Sequence, residues 1–189
     1  MNLSEADHEA RDKALRAGRL AARRTAIDLA LAAGATITSR PLFPGAQTTM
    51  QDVEPLAGLR ATRDLELGVR YIATYYVRDA RGAGHTWQEI GEALGITPNG
   101  EPELAGDSIA EAAYSYATGR PDSDAAWRYG RSFAWRCASC DGVISDKGPF
   151  DHPADSEPGH ADDCIRLAAA VAAWDAESAR FDAEWEAGR

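Results

Sequence analysis

Three cysteines and one histidine are spaced as metal ligands. The pattern is Cys137-x-x-Cys140, nineteen further residues, and then His160-x-x-x-Cys164. The first pair lies in "CASCDG", which predicts a tight turn with Gly142 just beyond the second thiol. Three thiolates and one imidazole form a closed tetrahedral set that suits structural zinc. The sequence therefore predicts a structural Zn²⁺ site with no open position for catalysis.

Two alternatives to this ligand set remain open. The cysteines could be buried thiols without a metal, and His152 could replace His160 as the fourth ligand. We favour His160 because a long helix is predicted over 161–187, and residues four apart lie on one side of a helix. The amino end of that helix also favours a thiolate at Cys164.

A second motif precedes the metal pattern. In "AGHTWQEIGEALGIT", Thr86 and Glu89 form a capping box, and Gly95 supplies a helix stop. These signals predict a helix over 86–95. A further capping signal at Ser108-x-x-Glu111 predicts the next helix over 108–118.

The segment 86–118 resembles a divergent helix-turn-helix of actinobacterial regulators and sigma-factor-like domains. Residues 135–175 resemble a treble-clef or zinc-ribbon-like finger. Together they resemble a group of actinobacterial proteins, and this likeness implies no specific function. The sequence departs from the helix-turn-helix pattern where the recognition helix should start. Prolines and a glycine follow Thr97 there, and the helix predicted over 108–118 has no basic residue. The residues that match the helix-turn-helix pattern are Gly84, Trp87, Ile90, Gly91, Leu94, Gly95, Ile96 and Thr97.

The remaining elements predict a mainly α fold. A capping box at Ser4 and Asp7 opens a helix over 4–33, and a second helix covers 56–81. Residues 34–55 are predicted to be a loop, punctuated by prolines, in which Thr36–Thr38 could form a short extended piece. The stretch "RSFAWRC" predicts a short strand that leads to Cys137. We expect a helical bundle in a domain of residues 1–122, and a zinc-binding β-hairpin with a long C-terminal helix in residues 123–189.

Apolar stripes predict which helix faces are buried. On the second helix the stripe is formed by Leu65, Val69, Ile72 and Tyr76. Tyr71, Tyr75 and Tyr76 could stack on bases, but we favour packing. The final helix has an early stripe and a late stripe, and we expect this helix to pack back on the bundle. The early stripe is Ile165, Ala168 and Ala172, and the late one is Trp174, Phe181 and Trp185.

Charge is unevenly distributed along the chain. Residues 1–83 have 12 Arg/Lys and 10 Asp/Glu (+2), and residues 84–189 have 8 and 20 (−12), which sum to the net charge of −10. An acidic half repels phosphates, so any nucleic acid should meet the first half. The candidate nucleic-acid contacts are Arg16, Arg19, Arg23 and Arg24, with Arg128 and Arg131 near the finger. Alternatively, the first four belong to a solvated face paired with Glu9, Asp12 and Asp28.

These patterns favour a binding protein over an enzyme. No nucleophile–base pair, phosphate loop or carboxylate dyad is present, and Glu157 and Asp163 are interpreted as a loop carboxylate and a helix charge. The first hypothesis is a DNA-associated regulatory protein that contacts double-stranded DNA. The alternative is a protein–protein adaptor, or self-association through the C-terminal helix. With no signal peptide or membrane-spanning stretch, and with a reduced Cys-x-x-Cys pair, we expect a cytoplasmic location.

Overall fold

A computed structural model describes residues 4–97, 105–119 and 132–187. Within those ranges the chain forms six helices and two antiparallel strand pairs, which confirms the mainly α fold class. The elements are α1 (Glu5–Ala32), β1 (Ile37–Pro41), β2 (Thr49–Val53), α2 (Pro55–Ala83), α3 (Trp87–Ala93), α4 (Ala105–Thr118), β3 (Phe133–Arg136), β4 (Val143–Asp146), α5 (Pro153–Ser156) and α6 (Ile165–Ala187).

The chain divides into two compact units, Met1–Ile72 and Ala73–Arg189. Helix α2 begins in the first unit and ends in the second. The predicted domain boundary between residues 122 and 123 lies outside the described residues and stays a prediction. Helices α3 and α4 belong to the same unit as the cysteines.

The first unit has a small core between the end of α1 and the start of α2. The predicted capping box is present, since the Asp7 N–H donates to the Ser4 hydroxyl and the Ser4 N–H donates to the Asp7 carboxylate. Ala30, Val53 and Ala61 form the buried cluster. Ala30 is the single buried residue of α1. Most of this long helix is therefore in contact with solvent.

The prediction of a loop over 34–55 was wrong for most of its length, because this region contains the β1–β2 hairpin, although the extended piece proposed at Thr36–Thr38 overlaps β1. Ile37 pairs with Val53 and Pro41 pairs with Thr49. Proline is tolerated at the last position of β1, where a two-stranded sheet has an open edge. Gly45 adopts a φ of 85° in the connection. Val53 is buried in the core of this unit, and its burial holds the hairpin in place.

The apolar stripe predicted for α2 is not a buried one. Leu65 is half-buried, but Val69, Ile72 and Tyr76 are exposed by 56%, 55% and 71%. Tyr71 and Tyr75 are exposed as well. The prediction of a buried stripe was wrong for Val69, Ile72 and Tyr76, because periodicity reports an apolar face and does not show that another element covers it.

The second unit is built around α3, α4 and the β3–β4 hairpin. Helix α3 has the predicted capping box at Thr86 and Glu89, and Gly95 follows its end with a φ of 73°. Helix α4 begins at Ala105, three residues before the predicted start, so Ser108 lies inside its first turn. This position suits a polar residue, because N–H groups in a first turn lack intrahelical acceptors.

Strands β3 and β4 pair antiparallel, with Trp135 opposite Ile144. Their inward residues alternate with outward ones, as the "RSFAWRC" pattern predicts. The buried core that they share with α3, α4 and the end of α2 combines four aromatic rings with smaller side chains. It contains Val77, Trp87, Ile90, Ala110, Ala113, Tyr114, Phe133, Trp135, Cys137, Ile144 and Cys164.

Helix α6 differs from its prediction in its first residue and in the face that is partly buried. It begins at Ile165 rather than at 161, and none of its described residues is buried. The predicted early stripe of Ile165, Ala168 and Ala172 is exposed, so this assignment was wrong. The half-buried face contains Leu167, Val171 and Trp174 instead. None of the described helices combines the length and the apolar character that crossing a bilayer would require.

The close packing of α3 on α4 generates a stability prediction. A Cβ at Gly91 would lie 2.9 Å from the Ile109 carbonyl oxygen and 3.3 Å from the Ala113 Cβ. We expect Gly91→Ala to destabilise the protein by about 1–3 kcal/mol through overpacking. The control is Gly68→Ala in α2, where nothing lies within 4 Å and a gain of up to about 1 kcal/mol is expected. Thermal unfolding, monitored by circular dichroism, measures both variants. An unchanged unfolding midpoint for Gly91→Ala would contradict the close packing of α3 on α4.

Candidate metal centre

The four predicted ligands lie together in the second unit. Their ligand atoms, three Sγ and one imidazole nitrogen, are all within 4.8 Å of one another. Cys137 Sγ is 3.8 Å from Cys164 Sγ, and Cys140 Sγ is 3.5 Å from His160 Nδ1. Cys137 and Cys164 are buried, and the other two are half-buried. The cluster could hold a metal ion.

Cys137 and Cys140 are presented by a tight turn between β3 and β4. The Cys137 N–H donates to the Gly142 carbonyl, and the Asp141 N–H donates to the Cys137 carbonyl, each at 2.9 Å. The Ser139 N–H points at Cys137 Sγ, at 3.4 Å. A Cβ at Gly142 would lie 2.5 Å from the Gly159 carbonyl oxygen. Glycine is needed there because the turn and the segment before His160 approach each other closely.

His160 and Cys164 precede α6 rather than lying on it, so the predicted helical i, i+4 placement was wrong. A turn brings them together, in which the Cys164 N–H donates to the Ala161 carbonyl at 3.0 Å. The Cys164 carbonyl accepts the first helical hydrogen bond, from the Ala168 N–H. Cys164 therefore takes the N-cap position of α6, where the sequence predicted only a place in the first turn.

Cys137 and Cys164 differ in how readily their thiols lose a proton. Burial raises the pKa of the Cys137 thiol above its ordinary value. Burial also opposes ionisation of Cys164, but hydrogen bonds outweigh it and lower its pKa to about 6. The largest of these comes from the Leu167 backbone N–H in the first turn of α6. The N-cap position thus favours a thiolate at Cys164, as expected for a helix amino end.

The ring of His160 is oriented by a carboxylate. Nδ1 faces the thiols, and Nε2 lies 3.3 Å from Glu157 Oε2 and 3.4 Å from Arg166 Nη1. The alternative ligand His152 lies outside the cluster. Its Nδ1 accepts from the Ala154 N–H at 3.2 Å, and its Nε2 is 3.5 Å from Asp175 Oδ1.

Glu157 is the centre of a buried ionic contact that the sequence analysis missed. We interpreted it as a loop carboxylate, but it is 6% exposed and bonded to both Arg81 and Arg166. Burial alone would raise the pKa of Glu157, but the hydrogen bond from Arg166 and the two positive charges lower it. Glu157 is therefore an anion that joins the histidine to two guanidinium groups.

Asp146 is a second buried carboxylate, and it is fully enclosed at 0% exposure. It accepts from Arg81 Nε at 2.9 Å, and from the indole N–H groups of Trp87 and Trp135 at 3.1 and 3.0 Å. The Gly148 N–H adds a fourth donor at 2.9 Å. No sequence motif marks this network, because Arg81 is 65 residues from Asp146 and 76 residues from Glu157. A glutamate three residues before the predicted ligand His160 was the one available signal.

The predicted nucleic-acid residues lie in the first unit or outside the described ranges. On α1, Arg16 Nε donates to the Asp12 carbonyl at 3.3 Å, and Arg23 forms an ion pair with Asp52 at 3.1 Å. Arg19 and Arg24 are exposed. Arg128 and Arg131 lie outside the described residues.

Comparisons with protein-family models, with curated proteins and with solved structures find no match for this chain. The resemblance to actinobacterial helix-turn-helix proteins with a Cys3His module stays a prediction from sequence. Conclusions about function therefore depend on the geometry of the chain itself.

The enclosed position of Asp146 generates a second stability prediction. Asp146→Asn removes the charge that balances Arg81, and we expect the unfolding free energy to fall by about 3–5 kcal/mol. Urea unfolding followed by tryptophan fluorescence measures this, because Trp87 and Trp135 both contact Asp146. The exposed Asp151→Asn serves as control and should change stability by less than about 0.5 kcal/mol. Equal unfolding midpoints for the two variants would refute the role given to Asp146.

Proposed function

We propose that this chain is a zinc-stabilised binding protein without catalytic activity at the metal. Zinc bonds sulfur at about 2.3 Å and nitrogen at about 2.0 Å. In a tetrahedron these lengths put two sulfurs about 3.8 Å apart, and a sulfur and a nitrogen about 3.5 Å apart. The Cys137–Cys164 and Cys140–His160 separations of 3.8 and 3.5 Å agree with both. This agreement, in two of the six ligand-atom pairs, is the observation that carries the zinc assignment.

The donor set favours zinc in a structural role. Thiolate and imidazole suit zinc better than magnesium or calcium, which prefer oxygen. Four protein ligands fill the usual zinc coordination and leave no position for substrate. The nearby carboxylate of Glu157 is bonded to His160, Arg81 and Arg166, so it is engaged in holding the site. The metal would then supply folding free energy to the second unit.

The second unit is better suited to protein contacts than to reading bases. Helix α4 would be the recognition helix, yet Ile109, Ala110, Ala113 and Tyr114 are all buried on it. Its residues, 105–118, include no Arg, Lys, Asn or Gln, the residues that most often read base edges. We therefore favour an adaptor that binds other proteins.

The zinc proposal predicts that His160, and not His152, is needed for zinc binding. Purified protein should contain about one zinc per chain, and Cys137→Ser should lose it and destabilise the second unit. His160→Ala should weaken zinc binding by about 100-fold or more, since loss of a direct ligand should exceed the 10–100-fold effect of outer-shell partners.

The matched control for the histidine is His152→Ala, which should keep full zinc content. Metal analysis and competition with a chromogenic chelator measure both variants. Full zinc retention by His160→Ala or Cys137→Ser would refute the ligand assignment.

DNA association is a second candidate function, and the exposed arginines of α1 support it. Residues 4–25 are exposed throughout, so Arg16, Arg19 and Arg24 could approach a phosphate backbone. Such contacts would be independent of sequence and strongly dependent on salt. Arg23 is less available, because it is paired with Asp52.

This candidate predicts a measurable salt dependence. Zinc-loaded protein should bind random duplex DNA at low salt. The slope of log affinity against log salt should fall by about 0.9 for each phosphate-contacting arginine removed in Arg16→Gln, Arg19→Gln and Arg24→Gln. The control is Arg63→Gln in α2, an exposed arginine paired with Glu66. Absence of binding at low salt would eliminate DNA association and leave the zinc proposal untouched.

A further inference from the structure

Helix α6 has an apolar stripe with heptad spacing along its length. The stripe residues follow one another in alternating steps of four and three, the spacing of a helix that packs lengthwise against another helix. Its early and late parts form one continuous stripe, in place of the two stripes that the sequence analysis proposed. Its apolar residues are Leu167, Val171, Trp174, Phe181 and Trp185, and the small polar Ser178 occupies the position between Trp174 and Phe181.

The first half of this stripe is already covered by the second unit. Leu167 packs against the buried core, and Val171 and Trp174 are half-buried. The Trp174 ring meets the His152 ring edge-on, with centroids 6.2 Å apart. The second half is largely exposed, Phe181 by 66% and Trp185 by 61%. The same stripe therefore continues past the surface that covers its beginning.

The positions that flank the exposed half are all acidic. With Trp174 and Phe181 at heptad position d, positions e and g are occupied by Asp175, Glu177, Asp182 and Glu184. Residues 175–187 contain five acidic residues and one arginine, a net charge of −4. Arg180 is 3.7 Å from Glu177 and 3.9 Å from Glu184, and all three are largely exposed. These weak surface pairs leave the seam acidic.

This charge pattern selects the partner. In a parallel pair of α6 helices, position g of one faces position e of the other, and in an antiparallel pair like positions face each other. Either arrangement places carboxylates against carboxylates, which is unfavourable. The self-association through α6 expected from sequence is therefore disfavoured. A helix with lysine or arginine at the flanking positions would satisfy both the apolar seam and the charges.

We infer that the exposed half of α6, residues 175–187, is a docking surface for a basic amphipathic helix of another protein. The inference rests on the proposed binding function and specifies the chemistry of its partner. Phe181 supplies the apolar contact, and the acidic flanks supply selectivity. The zinc site holds α6 at its base through Cys164, so the docking surface projects from a fixed first turn.

A pair of designed peptides tests this inference with the full zinc-loaded chain. Each peptide has about three heptads with leucine in the seam, and the flanking positions are lysine in one and glutamate in the other. Fluorescence anisotropy of labelled peptide should show binding of the lysine peptide at least about tenfold tighter than of the glutamate peptide, because like charges oppose pairing. High salt should weaken binding of the lysine peptide.

Variants of α6 make the test specific. The triple change Glu177→Lys, Asp182→Lys and Glu184→Lys should invert the preference toward the glutamate peptide. Phe181→Ser should abolish binding of the lysine peptide, whereas Phe43→Ser, at an aromatic residue of similar exposure in the first unit, should not. Circular dichroism and zinc content should match wild type in all three variants, since the changed residues are exposed.

Three outcomes would overturn the docking surface. One is the result that wild-type protein with full zinc content binds neither peptide, which would not affect the zinc proposal. Another is a charge-reversed variant that keeps the lysine preference. The third is a sedimentation result in which the wild-type chain is a dimer and Phe181→Ser is a monomer, which would make a second copy the occupant. Protein without zinc would instead count against the proposed function.

Discussion

The structure of the second unit depends on two buried carboxylates held by two buried or nearly buried guanidinium groups. Asp146 and Glu157 share Arg81, and Glu157 also binds Arg166. Removing such charges from water costs several kcal/mol for each ion, and this cost is offset only when every partner is in place. The four residues come from α2, β4, the segment after α5, and α6. Because each charge needs its partner, these ion pairs fix the relative positions of the elements that carry them.

The ligand cluster is joined to this ionic network through His160, whose Nε2 lies near both Glu157 and Arg166. The His160 ring meets the thiols on one side and Glu157 on the other. The Arg166 guanidinium lies over the Trp135 ring at 4.3 Å, and Trp135 donates to Asp146. Ligand geometry, charge balance and aromatic packing are therefore parts of a single arrangement. A substitution that disturbs the ligands, the ion pairs or the aromatic packing is therefore expected to disturb the other two.

Local signals were readable from sequence, and long-range pairings were not. The capping boxes at Ser4 and Thr86, the stop at Gly95 and the Cys-x-x-Cys turn depend on neighbouring residues, and the structure contains each of them. The spacing of the cysteines and of His160 was sufficient to group the ligands. Arg81 and Asp146 are 65 residues apart and look like ordinary surface charges in the sequence.

The remaining errors share a physical cause, which is that the environment of a segment decides its structure. The β1–β2 hairpin was missed because Pro41 and Gly45 signal irregular backbone, although both fit a short open-edged hairpin. The stripe on α2 was expected to be buried, but an apolar face at Val69 and Ile72 does not identify what covers it. Helix α4 begins three residues before its predicted start and α6 begins four residues after, because sequence signals do not fix a helix end to the residue.

The N-cap position of Cys164 restricts which amino acids this site can accept. Serine would cap the helix but is a poor ligand, and histidine would bind a metal but cannot take the hydrogen bond from the Leu167 N–H in the same way. Aspartate can do both, but it would replace a soft donor with a hard one. Substitutions at residue 164 that conserve the helix would therefore change the metal preference, and those that conserve the metal would change the helix.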